Sequence, residues 1–251
     1  MTRMDPDRRE LWVMRDGEAI AEEAARRIER NLAQSSSRLA VCLAGGSTPE
    51  RLYRTLASEP FRSALPWNRI HWFWGDDRFV PQSDPRSNAG MVRRLLLDRV
   101  PAREEMIHAI PTDLESVADA ARVYEGELQR FYGAERIDPA RPLFDIVLMG
   151  MGRDGHTASL FPGHVQLDEQ QRWVVEVPNP ALEPFVPRVT LTFPVLAATR
   201  DMLFLINGEG KRDTVGRVLA GADLPAGRAH SNGSLVWLMD YAAASEAPNG
   251  A

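Results

Sequence analysis

The sequence predicts an α/β protein with a largely parallel sheet flanked by helices, and three observations carry that prediction. Apolar runs of strand length at 39–44, 70–74, 144–149 and 202–206 alternate with segments of helical period along most of the chain. Two of these runs, 39–44 and 202–206, are apolar throughout and the other two carry a single polar residue, as strands buried on both faces do. No composition shift divides the 251 residues, so 1–251 reads as one domain with flexible ends at about 1–10 and 242–251.

Taken in order, the segment from Asp16 places Ile20, Ala24, Ile28 and Leu32 at steps of four, which makes one apolar stripe on an amphipathic helix. The run LAVCLA at 39–44 then leads directly into Gly45, Gly46, Ser47, Thr48 and Pro49. Thr48 as N-cap and Pro49 at the first helical position would open a helix carrying Leu52, Tyr53 and Leu56. Strand, GGST and helix in that order suit a phosphate: glycines let main-chain N–H groups approach an anion, and a helix start adds unpaired donors. The Walker spacing and its lysine are absent, so this is not a P-loop.

The strand IHWFW at 70–74 ends at Gly75 and the charged turn Asp76, Asp77, Arg78. Loop acids more often cap and pair than catalyse, so Asp77 reads as structural and Arg78 as functional. Asn88 reads as the cap of a helix through Met91, Leu95 and Leu96, followed by a short strand at 107–110. A long helix carries Val117, Ala121, Tyr124, Leu128 and Phe131 on one face, and DPARP at 138–142 is a turn. After 144–149 come strands at 173–177 and 188–192 separated by a proline-rich loop. A buried strand at 202–206, a helix opened by 208–211 with Val215, Val218 and Leu219, and a last core segment at 235–239 complete the chain.

The stretch LFDIVLMGMGRDGHTASLFPG at 143–163 runs from a buried strand into chemistry. Ligands bind at the carboxyl ends of strands in open parallel sheets, and here that end carries Asp154 and His156 among three glycines. Gly150, Gly152 and Gly155 spell G-x-G-x-x-G, yet Pro162 and Gly163 cut off the long helix that a dinucleotide needs, so a nicotinamide cofactor is not expected. The other histidines, His71, His108, His164 and His230, show no zinc-ligand spacing, and Ser47 and Ser159 lack the G-x-S-x-G elbow. What remains is His156 as a general base, with Asp154 orienting the ring or binding a sugar hydroxyl.

Composition narrows the classes further. No apolar run reaches the length of a membrane span, and MTRMDPDRRE lacks the apolar stretch of a secretion signal. Cys42, the single cysteine, reads as inert core and fits a reducing, cytoplasmic compartment. A net charge of −5 argues against a nucleic-acid surface. Of 30 basic residues only Lys211 is a lysine, which suggests a place where a planar guanidinium does not fit.

LAGGSTP, GDDRFVP with SN shortly after, GMGRDGHTASLFPG, PRVTLTFPVL and GEGK, in this order, resemble the 6-phosphogluconolactonase family over nearly the whole chain. The resemblance implies a Rossmann-like α/β layered sandwich. It also implies hydrolysis of 6-phospho-D-glucono-1,5-lactone, the second step of the oxidative pentose phosphate pathway, without metal or cofactor. It places Gly45, Gly46, Ser47 and Thr48 on the phosphate or sugar, with Arg188 and Lys211 supplying charge. Arg78 would hold anionic groups, His156 would activate water, and Asp154 would position it or the sugar. The family commonly has Asp-Glu-Arg where this chain has Asp76, Asp77, Arg78, which puts a direct role for Asp77 in doubt. The implied partner is a small phosphorylated sugar lactone, with neither nucleic acid nor membrane; the oligomeric state is open, with a monomer favoured. The related glucosamine-6-phosphate deaminases and isomerases look like GHIAFNEP where this chain has HTASLFP from His156, and their glutamate is missing here. A sugar-phosphate-binding regulator without catalysis is the other class of reading.

Overall fold

The computed structural model describes residues 2–4, 9–34 and 39–244. Strands β1 (Thr2–Met4) and β2 (Glu10–Met14) lead to helix α1 (Gly17–Gln34), followed by β3 (Leu39–Leu43) and α2 (Ser47–Leu56). A short α3 (Phe61–Ala64) precedes β4 (Ile70–Trp74), β5 (Asp76–Arg78) and α4 (Asn88–Leu95). Next come β6 (Ile107–His108), α5 (Val117–Tyr132), β7 (Phe144–Met149), β8 (Val174–Val177), β9 (Arg188–Leu191) and α6 (Phe193–Ala197). The chain closes through β10 (Thr199–Ile206), α7 (Arg212–Leu219), α8 (Pro225–Arg228) and β11 (Ser234–Asp240).

The main sheet runs β1-β2-β11-β10-β7-β3-β4-β6, and every neighbouring pair is parallel except β1 with β2. Its central strands β7 and β10 are buried at all but one position each and β3 at every position, which is why they read as apolar runs. Trp72, Phe73, Trp74, Phe204 and Trp237 are fully buried; each such side chain contributes roughly 1.5–3 kcal/mol on leaving water. From β3 the chain proceeds outward through β4 to β6, and from β7 it proceeds the other way through β10 to β11. The connections after β3 and β7 therefore diverge, and the crevice between them is where an open α/β sheet receives a ligand.

A second sheet, β5-β9-β8, is antiparallel and small. Its strands β8 and β9 lie within the segments expected from sequence, but β5 is the Asp-Asp-Arg turn itself. Two expected caps are displaced. The N-cap of α2 is Gly46, at φ 100°, with Ser47 already helical, so Thr48 and Pro49 lie inside the first turn. Proline is tolerated there because first-turn amides have no partner within the helix. Ser87 rather than Asn88 caps α4, its Oγ accepting from Gly90 N–H at 3.0 Å, while Asn88 is buried in the first turn.

Some of the residues expected to be flexible belong to the fold. Thr2–Met4 pairs with β2, Glu10 belongs to β2, and Ala243 is buried with its N–H on Asp240 Oδ1 at 2.8 Å. The rest of the ends expected to be flexible, residue 1, residues 5–8 and residues 245–251, lies outside the described residues. No helix among the described residues is long and apolar enough to cross a membrane.

Candidate active site

A cleft of about 220 Å³ opens at the carboxyl ends of β3 and β7, with β5 and β9 forming one side. Gly45, Gly46, Ser47, Thr48, Arg78, His156, Arg188 and Lys211 all line it, brought together from five separate segments. Asp154 does not reach the wall and stands behind His156.

One part of the cleft gathers positive charge and unpaired donors. Gly46 turns the chain at positive φ into α2, and no side chain caps the first-turn amides of that helix. Gly45 is needed for a different reason: a Cβ there would lie 2.0 Å from Asn88 Oδ1. Across β5 and β9, Arg78 sits directly opposite Arg188. Like charges in that position repel, and an anion between them relieves the repulsion. Arg78 spends one nitrogen on the carbonyl of Arg86 at 2.6 Å, and Arg188 shares Nη2 among the carbonyls of Leu182, Glu183 and Pro184 at 3.2–3.5 Å. The Nε of each guanidinium is buried with no hydrogen-bond partner among the described residues. Burial draws the Arg188 pKa down; Asp76 opposes this and Arg78 adds to it. Lys211, half-buried just before α7, is also drawn below the usual lysine range, by burial first and then by Arg153, against the pull of Asp154.

The other part holds an acid–imidazole pair. His156 Nδ1 lies 2.6 Å from Asp154 Oδ1, and the same oxygen accepts the His156 main-chain N–H at 3.2 Å. Burial would raise the Asp154 carboxyl, but its hydrogen bond to His156 and that ring's charge outweigh burial, and the net shift is downward. An ionised Asp154 holds the proton of the neutral ring on Nδ1 and leaves Nε2 as the acceptor. The turn that achieves this needs its glycines. Gly155 sits at φ 86°, and Gly152 passes so close to the pair that a Cβ would lie 2.1 Å from His156 Nδ1. Phe161, fully buried, touches both halves of the site, with its ring 4.8 Å from the His156 ring and 5.2 Å from the Arg188 guanidinium carbon.

Residues 15–237 match the family model described as glucosamine-6-phosphate isomerases/6-phosphogluconolactonase. The chain belongs to that family. It is 38% identical over 255 residues to a 6-phosphogluconolactonase of Streptomyces coelicolor, covering 96% of each sequence. It is 39% identical to one from Nostoc sp., covering 85% of this chain and 86% of the relative. Among solved structures, the 6-phosphogluconolactonase of Thermotoga maritima superimposes with a TM-score of 0.79 at 31% identity, over 92% of this chain and 98% of that one. A monomeric glucosamine-6-phosphate deaminase shares the fold, with a TM-score of 0.77 at 21% identity over 93% of this chain and 98% of that one.

In this family member Asp77 is structural, as its loop position suggested. Its carboxylate accepts the N–H groups of Asn88 (2.6 Å), Ala89 (2.9 Å) and Arg78 (2.7 Å), and the Ser87 hydroxyl at 3.2 Å. It thus fastens β5 to the start of α4. Burial pushes its pKa up to about 6, against the pull of the Ala89, Asn88 and Arg78 amides, with Asp76 adding to the rise. Asp77→Ala leaves buried amides without an acceptor and is expected to cost about 1–3 kcal/mol of stability. A carboxyl raised in the fold contributes stability that is complete below the ordinary aspartate range and is lost as pH rises through about 6. The melting-temperature deficit of the variant is therefore expected to be larger at pH 5 than at pH 7.

Sequence reasoning missed Asp76 and the lining role of Asn88. Asp76 is buried on the cleft wall, and Asn88 Nδ2 donates to its carbonyl at 3.0 Å. The usable signal was the two-residue step from Asp76 to Arg78, which puts both side chains on one face of an extended segment.

Proposed function

We propose that the protein hydrolyses 6-phospho-D-glucono-1,5-lactone to 6-phosphogluconate. The observation that carries this reading is the His156–Asp154 pair, 2.6 Å apart, in the same cleft as an ammonium and two guanidiniums whose Nε groups have no hydrogen-bond partner among the described residues. The relatives named for this activity at 38–39% identity support it. The phosphate lies against the start of α2 with Arg188 and Lys211, and Arg78 holds the substrate's other oxygens. His156 Nε2 takes a proton from water as that water attacks the lactone carbonyl. The tetrahedral intermediate collapses with cleavage of the ring C–O bond, and the imidazolium returns the proton to the departing alkoxide. Asp154 stays ionised throughout and stabilises the imidazolium, so no covalent intermediate is required.

The decisive assay follows freshly generated lactone with and without protein, because the lactone also hydrolyses unaided. Loss faster than the blank is expected; loss at the blank rate overturns the reading, and ammonia release from glucosamine 6-phosphate would then favour the deaminase. Within this reading Lys211 acts as a point charge. Lys211→Arg is expected to weaken product binding several-fold, since a planar fork does not replace an ammonium at a fitted site. Because its pKa is lowered, Lys211 loses its charge as pH rises, and product affinity should fall at alkaline pH before the usual lysine range is reached. Calorimetric titration with 6-phosphogluconate checks both; unchanged affinity in the variant removes Lys211 from the site.

A further inference from the structure

The turn after His156 is tied to the small sheet by a buried bond from Ser159, off the cleft wall, to Asp76 on it. Ser159 Oγ donates to Asp76 Oδ2 at 2.6 Å, and Ser159 N–H donates to Thr190 Oγ1 at 3.3 Å. Asp76 and Thr190 face each other across β5 and β9, and all three residues are buried. The turn itself is closed by reciprocal main-chain bonds between Thr157 and Leu160, at 3.4 and 2.9 Å. It passes through Ala158 at φ 48°, a left-handed conformation that a residue with a Cβ adopts only when its surroundings enforce it. Ser159 is the next residue, and both its donors are anchored on the small sheet.

This placement matters because the two halves of the site belong to different sheets. His156 follows β7 of the main sheet, whereas Arg78 and Arg188 lie on β5 and β9 of the small one. The sheets are joined at Gly75, whose N–H donates to Leu43 O at 2.9 Å and whose carbonyl accepts from Leu191 N–H at 2.8 Å, but that junction does not include the turn that carries His156. Asp76 is two residues from Arg78 on the same strand and also holds Asn88 through its carbonyl. A bond from the His156 turn to Asp76 therefore sets where the base stands relative to the groups that hold the substrate.

We propose that Ser159 is a positioning residue: its hydroxyl, bonded to Asp76, locks the His156 turn in register with the Arg78–Arg188 strand pair. Ser159 does not line the cleft, so it acts through the residues it holds. The proposal rests on the lactone-hydrolysis reading for its catalytic consequence. A base displaced by the order of an ångström loses up to about 10²-fold in rate, while binding through the cations is largely kept.

The test is Ser159→Ala beside Ser159→Thr, with kinetics on the lactone and amide exchange on the folded proteins. Ser159→Ala is expected to lower kcat about tenfold or more with KM within about twofold, and Ser159→Thr, which keeps the hydroxyl, to recover most of kcat. The Leu160 amide, held by Thr157 O, is expected to exchange at least about tenfold faster in Ser159→Ala than in wild type. An unchanged kcat in folded Ser159→Ala, or a rise in KM alone, overturns the proposal. Unchanged Leu160 protection overturns it without reference to turnover. If wild type itself fails to accelerate lactone loss, the functional reading falls, and the exchange experiment alone decides whether Ser159 holds the turn.

Discussion

His156→Ala is expected to lower turnover of the lactone by at least about 10²-fold, the low end for removing a general base, while affinity for 6-phosphogluconate stays within a few-fold of wild type. The split follows from the geometry. His156 approaches the cleft from the β7 side, whereas the cations approach from β5, β9 and the segment before α7, and unpaired amides from the start of α2. Deleting the ring leaves the phosphate end intact and removes only the acceptor for the water proton. The fold should survive, because the imidazole is partly exposed and its polar partner is a single carboxylate. That carboxylate gives a second reading of the same experiment. Asp154 is held below its usual range by His156, so its pKa should rise in the variant, as burial is left with less to oppose it. Near-normal turnover in the variant, measured against the uncatalysed rate, would falsify His156 as the base.

Gly152→Ala should come close to that loss without touching any reacting group. A Cβ at this position would lie 2.1 Å from His156 Nδ1 and 2.5 Å from Asp154 Oδ1, closer than a Cβ comes to a non-bonded atom. Gly152 N–H also donates to His156 O at 2.8 Å, so the main chain cannot swing away without opening the turn. The methyl must push the pair apart or push the ring off its line. A displacement of about 1 Å corresponds to a loss of about 10²-fold. Gly126→Ala provides the contrast. It sits within α5 with open space around its Cβ, and it should keep full activity and gain up to about 1 kcal/mol from helix propensity. Rate measurements on both separate a steric effect at the pair from a general intolerance of added methyl groups, and a fully active Gly152→Ala would show that the pair can relax without cost.

Much of this was legible in the sequence because it depends on local order. The run from β7 into Asp154 and His156, and the run from β3 into Gly45–Thr48 at the start of α2, each follow from strand, glycine and helix signals within a dozen residues. The parallel sheet follows from apolar runs with no alternation. What could not be read depends on contacts between distant segments. The sequence shows that 173–177 and 188–192 are strands but not that β9 pairs with the Asp-Asp-Arg turn, so the facing of Arg78 and Arg188 was hidden. Asn88 looked like a helix cap because its neighbour Ser87 does that work and the sequence cannot say which of the two turns inward. Gly152 looked like part of a dinucleotide fingerprint; its actual neighbour is an imidazole four residues on, brought back by a tight turn. Thr48 and Pro49 fitted a capping rule that Gly46, with its positive φ, satisfied two residues earlier.

The facing guanidiniums of Arg78 and Arg188 also bear on how the protein would be handled at the bench. Any anion that lies between them removes a repulsion, so occupancy and resistance to unfolding are linked by mass action: a ligand at 100 times its dissociation constant adds about 2.7 kcal/mol. Phosphate or sulfate in a buffer would then act twice, as a stabiliser in a melting experiment and as a competitor in an assay. Variants of the two arginines compared in such buffers would differ in melting temperature through lost anion binding as well as through folding, and only a series at varied anion concentration separates the two.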